Sequence, residues 1–319
     1  MTEIPSSEQI RIVAYRIKPF IHRTPVLCSS SINSISGAQL FFKCENLQKV
    51  GAFKFRGATN AVMSLPKHEA VHGVATHSSG NHAAALSLAA RNHDLQAYIV
   101  MPRTAPEVKI KAVQGYGGMI TYCEPTLAAR EESLEKIVRE TGAVFIHPYN
   151  NQQVISGQAT ACLELLEDIP DLDIVISPVG GGGLLSGTAI SAALFSSGVA
   201  VYGADPAGAD DAFRSLQEGK IIPSINPKTI CDGLLTSLGT LSFSYIRALV
   251  DRIVTTTDEH IIKAMRMIWE RMKIIVEPSA AVTLAVVLEH PDQFRNKRIG
   301  LILSGGNVNL DKLPWLNGG

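Results

Sequence analysis

Residues 73–101, GVATHSSGNHAAALSLAARNHDLQAYIVM, contain a strand, a helix and a second strand in succession. The apolar residues 73–76 and 97–101 predict the two strands, and the alanine- and leucine-rich residues 81–92 predict the helix between them. A helix that connects two strands in this way makes a right-handed crossover between parallel neighbours. The stretch therefore predicts an α/β fold that is built on a parallel sheet.

The same alternation continues along the chain in both directions. Further helices are predicted at residues 8–20, 56–65, 106–114, 127–141, 155–167, from 184 onward, 258–272 and 280–290, and further strands at 119–123, 144–147, 174–179, 200–204 and 299–303. A chain of 319 residues is long enough for two domains. We expect each domain to have a mostly parallel, twisted sheet flanked by helices. The smaller domain, residues 73–149, is inserted into a larger one formed by residues 1–72 and 150–319.

Composition narrows the class of protein. Hydrophobic residues make up 46% and charged residues 18% of the chain, and 29 basic side chains balance 29 acidic ones, so we expect no nucleic-acid partner and no membrane partner. The first residues lack the pattern of a signal peptide, and no apolar run approaches the roughly 18 residues that a membrane span needs. Five cysteines without a C-x-x-C pair indicate reduced thiols, and hence a cytoplasmic protein, rather than disulfides or a zinc site.

Residues 51–57, GAFKFRG, place Lys54 between two phenylalanines and bracket the group with glycines. Burial disfavours the charged ammonium and lowers the pKa of a lysine, and a neutral amine is what Schiff-base chemistry requires. The alternative is a lysine at the start of a helix whose stem packs on the phenylalanines while its ammonium reaches water. These seven residues alone leave both interpretations open.

Four consecutive glycines, Gly180, Gly181, Gly182 and Gly183, lie between a predicted strand and a predicted helix. Glycines let the backbone approach a ligand closely, and the start of a helix favours negative charge, so the segment suits a phosphate group. The two common nucleotide-binding patterns do not fit, because G-x-G-x-x-G lacks its last glycine and the P-loop lysine is replaced by Thr188. A flexible loop is the alternative.

Two more polar segments follow predicted strands. Residues 77–82, HSSGNH, could cap the next helix, but their hydroxyls, amide and backbone N–H groups could also hold a carboxylate. Residues 304–307, SGGN, could be a simple turn, but Ser304 also offers a neutral hydroxyl where glycines allow close approach to a flat ring.

Taken together, these segments resemble the fold type II enzymes that use pyridoxal phosphate, the tryptophan synthase β-like family. Within it, the chain is most similar to serine racemases, short serine or threonine dehydratases and 3-hydroxyaspartate dehydratases. The resemblance extends from residue 24 to residue 307 and includes FFKCEN at 41–46 and EPS at 277–279. It implies a pyridoxal 5'-phosphate cofactor, a small amino-acid substrate and a homodimer.

The resemblance also implies roles for individual residues. Lys54 would be the Schiff-base lysine, Phe53 would pack against the cofactor ring, Asn81 would bind the 3'-oxygen, the four glycines would hold the phosphate, and Ser304 would face the pyridine nitrogen. The substrate carboxylate would contact Ser78, Ser79, Asn81 and His82, and Ser79 would act as a second proton-transfer group opposite Lys54. A serine beside the pyridine nitrogen leaves the nitrogen largely neutral, which favours departure of a group from Cβ over a long-lived carbanion.

The sequence leaves open the roles of Arg130, of Thr236 and of an acidic segment at residues 205–211. Arg130 is either a solvated helix residue or a ligand for a second substrate carboxylate. Thr236 replaces a serine that relatives often have near the substrate. Asp205, the carbonyl of Ala209 and Asp211 match a Mg²⁺ or Ca²⁺ site of the racemase and dehydratase branch, although aspartates at such positions can also cap helices.

The predicted function is dehydration of β-hydroxy amino acids, such as L-serine, L-threonine or 3-hydroxyaspartate, to a 2-oxo acid and ammonia. Serine racemization by the same residues is the alternative, and the two activities can coexist. A non-catalytic sensor of phosphate ligands is a third possibility, but the presence of both Lys54 and Ser79 argues against it.

Overall fold

Two sheets organise the part of the chain that the computed structural model describes, which is residues 3–78, 80–105 and 107–316. The strands are β1 (Val26–Leu27), β2 (Gln39–Cys44), β3 (Val74–His77), β4 (Ala97–Pro102), β5 (Gly118–Cys123), β6 (Val144–Phe145), β7 (Ile174–Pro178), β8 (Ala200–Pro206), β9 (Arg252–Thr256) and β10 (Arg298–Leu303). The larger sheet has the order β1-β2-β10-β7-β8-β9, and the smaller one has the order β5-β4-β3-β6.

The helices cover the faces of the sheets. They are α1 (Ser7–Ile17), α2 (Ser30–Ser36), α3 (Lys54–Met63), α4 (Lys67–Ala70), α5 (Asn81–Arg91), α6 (Glu107–Gly115), α7 (Leu127–Thr141), α8 (Gln152–Asp168), α9 (Gly183–Phe195), α10 (Asp211–Glu218), α11 (Thr240–Leu249), α12 (Asp258–Met272), α13 (Pro278–Glu289) and α14 (Pro291–Phe294). Strand β7 is buried along its whole length, as expected for a central parallel strand with helices on both sides.

The predicted α/β class and the parallel sheets are confirmed. Every pairing between strands is parallel except that of β1 with β2, which is antiparallel. Among the elements that the sequence did not predict are β9 and α10. Helix α10 is amphipathic, with Ala212, Phe213 and Leu216 in one hydrophobic cluster, but its eight residues are fewer than the window over which helical periodicity is recognised.

The predicted smaller domain, residues 73–149, contains all four strands of the smaller sheet. Helix α3 lies outside this range in the sequence, yet its residues Phe55, Ala58 and Val62 belong to the same hydrophobic core as the buried side chains of α5 and β4. The division into two domains stays a prediction, and α3 packs against both of the proposed parts.

The parallel strands bring the predicted functional segments together. Residues 78–82 follow β3, residues 146–150 follow β6, the glycines follow β7 and Ser304 follows β10. Ligands in open parallel sheets bind beyond the carboxyl ends of the strands, and these segments all lie there. Within the described residues, no helix is both long enough and apolar enough to cross a bilayer.

Candidate active site

Lys54 is the first residue of α3, and a tight turn at residues 50–51 precedes it. Val50 and Gly51 have φ values of 57° and 68°, which a glycine adopts without strain and a valine rarely does. After the turn, the N–H of Phe53 donates to the carbonyl of Ser304 at 3.0 Å. The Lys54 Nζ donates to the carbonyl of Pro148 at 2.9 Å and lies 5.0 Å from the centre of the Phe53 ring.

The surroundings of Lys54 increase the fraction of its amine that is neutral. Burial lowers the pKa of Lys54 to about 8, so roughly a tenth of the side chains are neutral at pH 7. Burial also lowers the pKa of His82 to about 3 and that of His147 to about 4, and the charge of Lys54 contributes to both shifts. The two imidazoles are therefore neutral at pH 7 and add no positive charge beside the lysine.

The four glycines form a loop, residues 180–183, that is free to bind an anion. Among the described residues, none accepts a hydrogen bond from the amide N–H of Gly180, Gly181 or Gly182. A Cβ added to Gly181 would lie 2.4 Å from the Tyr149 ring, and Gly182 has a φ of 89°, so neither position tolerates a side chain easily. Unpaired N–H groups at the start of the 13-residue helix α9 fit a phosphate group.

Ser304 and Asn81 are two further residues predicted to bind the cofactor. Ser304 is buried, and its Oγ has only a long contact of 3.5 Å to the carbonyl of Ser279, so its hydroxyl can serve a heterocyclic nitrogen. The amide nitrogen of Asn81 donates to the carboxylate of Glu277 at 3.0 Å. The free N–H groups of the glycine loop, the Ser304 hydroxyl and the Asn81 amide are therefore chemically suited to bind pyridoxal phosphate.

The predicted carboxylate-binding segment is described except at its centre. Ser78 accepts a hydrogen bond from the N–H of Gly80 at 3.3 Å, while Ser79 lies outside the described residues. His82 is buried with its Nε2 3.2 Å from the carbonyl of Ile146, which places the ring proton on Nε2 and makes Nδ1 an acceptor. At this position only the backbone N–H could donate to a carboxylate.

Arg130 and Thr236 both act on groups that line the site. The positive charge of Arg130 contributes, after burial, to a lowered pKa of His77, and it also influences the phenol of Tyr149. Burial raises the pKa of Tyr149, and the hydroxyl of Thr236 opposes that shift. Arg130 is half-buried and Thr236 is exposed. Arg130 therefore lies near His77 and Tyr149, and Thr236 lies near Tyr149, with both side chains accessible to solvent.

Asp205 and Asp211 form a separate acidic cluster at the end of β8. Both carboxylates are buried, and the Oδ2 of Asp211 has no hydrogen-bond partner among the described residues. Burial raises the pKa of Asp205 well above its usual range and that of Asp211 to about 6. Asp210, by contrast, is paired with Arg214 at 2.8 Å.

Two buried carboxylates that form no ion pair among the described residues fit a divalent metal ion. The carbonyl of Ala209, in the short turn Ala207–Ala209, could supply a third oxygen ligand. The described residues contain no group of three or more His, Cys, Asp or Glu side chains arranged to hold a metal. Water molecules would have to complete the coordination shell.

Three residues of the site were assigned no role from the sequence, namely Glu277, His147 and Tyr149. His147 and Tyr149 follow β6, so the rule that ligands bind beyond the carboxyl ends of parallel strands could have indicated them. Glu277 gave no such local signal, because it lies before α13 and not after a strand.

Comparison with known proteins agrees with this geometry. A family model described as "Pyridoxal-phosphate dependent enzyme" matches residues 17–305. A β-hydroxyaspartate dehydratase from Paracoccus denitrificans is 50% identical over 312 residues, which cover 98% of this chain and 99% of that protein. A serine racemase from Arabidopsis thaliana is 53% identical over 305 residues, covering 93% and 92%. The crystal structure of serine racemase from Dictyostelium discoideum superimposes with a TM-score of 0.92 at 48% identity, covering 97% and 100%.

Proposed function

Because the chain belongs to the pyridoxal-phosphate-dependent enzyme family, we propose that it dehydrates β-hydroxy amino acids to a 2-oxo acid and ammonia. The predicted fold type II architecture is confirmed by the similarity to the solved serine racemase. The observation that carries the proposal is Lys54, whose partly neutral amine lies 6.0 Å from the centre of the Tyr149 ring, which in turn packs on Gly181 of the glycine loop.

The chemistry divides between the cofactor and the protein. When bound, pyridoxal phosphate withdraws electrons from Cα of the substrate and so weakens the bond to its α-proton. The amine of Lys54 then accepts that proton, since a pKa of about 8 makes it a base near neutral pH. The glycine loop and Ser304 would hold the phosphate and the ring nitrogen, and Ser78 and the backbone N–H of Asn81 would hold the substrate carboxylate.

Serine racemization is a second candidate, and the identity to serine racemases supports it directly. Racemization requires a second proton-transfer group on the face of Cα opposite Lys54, and Ser79 is our candidate for it. Dehydration requires only the lysine. An end-point assay of the purified protein with L- and D-serine, L-threonine and 3-hydroxyaspartate, in which both 2-oxo acid and enantiomer are scored, separates the two activities.

Within the dehydratase proposal, we favour a substrate that has a second carboxylate. Arg130 supplies a positive charge near His77 and Tyr149, and an arginine fork can bind a carboxylate through two parallel hydrogen bonds. The identity to a β-hydroxyaspartate dehydratase supports the same substrate class. L-Serine and L-threonine lack this second carboxylate.

Replacing Arg130 with glutamine is expected to lower kcat/KM for 3-hydroxyaspartate by about 10- to 100-fold, because charge-assisted hydrogen bonds to the second carboxylate are lost. The value for L-serine should change by less than about threefold. Arg139→Gln, on an exposed turn of the same helix, is the matched control and should change neither. Equal losses for both substrates would show that Arg130 does not recognise a second carboxylate.

We further propose that Asp205, the carbonyl of Ala209 and Asp211 hold Mg²⁺ or Ca²⁺, with a stabilising role. Removal of the metal with EDTA is expected to lower the unfolding temperature by roughly 2–6 °C, since a ligand that binds only the folded state stabilises it. Re-addition of Mg²⁺ or Ca²⁺ should restore it. Asp211→Asn should abolish the response, whereas Asp210→Asn should keep it because Asp210 pairs with Arg214. An unchanged unfolding temperature in metal-free protein would rule out the site.

Cytoplasmic location and a homodimer complete the proposal. The five cysteines are unpaired, which agrees with a reducing compartment. The dimer is proposed on the family resemblance.

A further inference from the structure

Glu277 is a buried acidic side chain with an unusual set of partners. Only 4% of the residue is exposed, and no basic side chain among the described residues lies within ion-pair distance of its carboxylate. The carboxylate instead accepts from the amide nitrogen of Asn81, at 3.0 Å and 3.3 Å, and from the backbone N–H of Asn307 at 3.2 Å. The backbone of Gly305 packs directly against this carboxylate, since a Cβ on Gly305 would lie only 2.6 Å from the Oε1 of Glu277.

The usual structural role of such a residue does not account for these contacts. Glu277 occupies the N-cap position of α13, where a side chain commonly binds the first free N–H groups of the helix, but it makes no such bond. Burial and, after it, the charge of Asp232 raise the pKa of Glu277 to about 7, although the two amide donors and Lys109 oppose the shift. A buried carboxylate is therefore costly here, and stability alone does not explain it.

The hydrogen bonds from Val50 through Asn307 and Asn81 to Glu277 form a chain in which each donor and each acceptor is fixed. The Asn307 Nδ2 donates to the carbonyl of Val50 at 2.7 Å and to the Oδ1 of Asn81 at 2.9 Å. A backbone carbonyl and a carboxylate can only accept hydrogen bonds, so both ends of the chain fix the orientation of the amides. The oxygen of Asn81 must face Asn307, and its nitrogen must face Glu277.

We propose that Glu277 is a positioning residue that holds the Asn81 amide with one N–H on the carboxylate and the other directed to the 3'-oxygen of pyridoxal phosphate. An amide rotated by 180° would place its oxygen against the carboxylate and against the electron-rich 3'-oxygen, and both contacts are repulsive. Glu277 thus acts on the cofactor through Asn81. The inference rests on the proposed function only in that Asn81 binds the cofactor, and it is independent of the substrate.

A double-mutant cycle on cofactor binding tests this role. Metal-replete protein, stripped of cofactor, is titrated with pyridoxal phosphate at pH 8.5, where Glu277 is ionised, and the dissociation constant is read from visible absorbance. Glu277→Gln places an amide N–H against one of the two donors, so it is expected to weaken binding about tenfold. In an Asn81→Ala background, the same substitution should change affinity by less than about twofold. Glu270→Gln, an exposed glutamate paired with Arg266 at 2.7 Å, is the control.

An unchanged affinity in Glu277→Gln, or a loss that adds fully to that of Asn81→Ala, overturns the proposal, since a purely structural residue would behave in that way. If Glu277→Gln does not fold, the affinity for pyridoxal phosphate is measured in Asn307→Asp instead, alone and in the Asn81→Ala background, and the same outcomes apply. A carboxylate at position 307 cannot donate a hydrogen bond to Asn81. No amino acid is present in the titration. A protein that binds the cofactor normally but dehydrates nothing would contradict the proposed function and leave this inference intact.

Discussion

Lys54→Ala is expected to reduce turnover of the preferred β-hydroxy amino acid by on the order of 10⁴-fold or more while the protein stays folded. The substitution removes both the Schiff-base amine and the base that accepts the α-proton. The Nζ contacts of Lys54 are one hydrogen bond to a carbonyl and the faces of two aromatic rings, so little of the fold depends on them. Steady-state kinetics and thermal unfolding measure the two parts of this prediction.

Lys49→Ala is the matched control, because Lys49 precedes the same turn and also lies over a phenylalanine ring, that of Phe55 at 5.8 Å. Its turnover should stay within about twofold of the unsubstituted protein. In the unsubstituted protein, the rate of pyridoxal phosphate capture should rise with pH around a midpoint near 8, because burial lowers the pKa of Lys54 to about that value. A midpoint near 10.5, or full turnover in Lys54→Ala, would exclude the assigned role.

The parts of the site that the sequence predicted share one property. Lys54, the glycine loop and Ser304 are each recognisable from their immediate neighbours in the sequence, such as glycines beside a lysine or glycines after a strand. A parallel sheet gathers such segments at one edge, so a correct prediction of the strands was enough to place them together.

Glu277 and Arg56 could not be assigned roles in the same way, because their partners are remote in the sequence. Asn81 lies 196 residues before Glu277, and Glu164 lies 108 residues after Arg56. Nothing in the residues around Arg56 distinguishes a buried arginine from one on a solvated helix face. The buried environment of Arg56 follows only from the packing of α3 against α8, which carries Glu164.

Arg56 is fully buried two residues after Lys54 and is the centre of a charged network. Its guanidinium donates to both oxygens of Glu45, at 2.7 Å and 2.8 Å, and to both oxygens of Glu164, at 2.8 Å and 2.7 Å. Lys43 also donates to Glu164, at 2.6 Å. Burial alone would lower the pKa of Arg56, but the two carboxylates outweigh it and raise the pKa. Two cations and two anions thus balance in the interior.

Arg56→Ala is therefore expected to lower the free energy of unfolding by about 3–5 kcal/mol, because it leaves one cation to compensate two buried carboxylates. The control is Arg23→Ala. Arg23 also binds two carboxylates, those of Glu167 at 2.9 Å and Asp168 at 2.6 Å, but its side chain is 52% exposed. Water screens exposed pairs, so that substitution should cost less than about 1 kcal/mol.

Urea denaturation of the two variants measures the difference between them. Equal costs would mean that the network around Arg56 contributes no more than surface ion pairs do. A large cost for Arg56→Ala should also weaken capture of pyridoxal phosphate, because the same helix begins with Lys54 and its first turn would lose the anchor that fixes the amine beside Pro148. The buried charged network thus fixes one face of α3, while the reactive lysine, whose pKa is lowered by burial, lies at the start of the same helix.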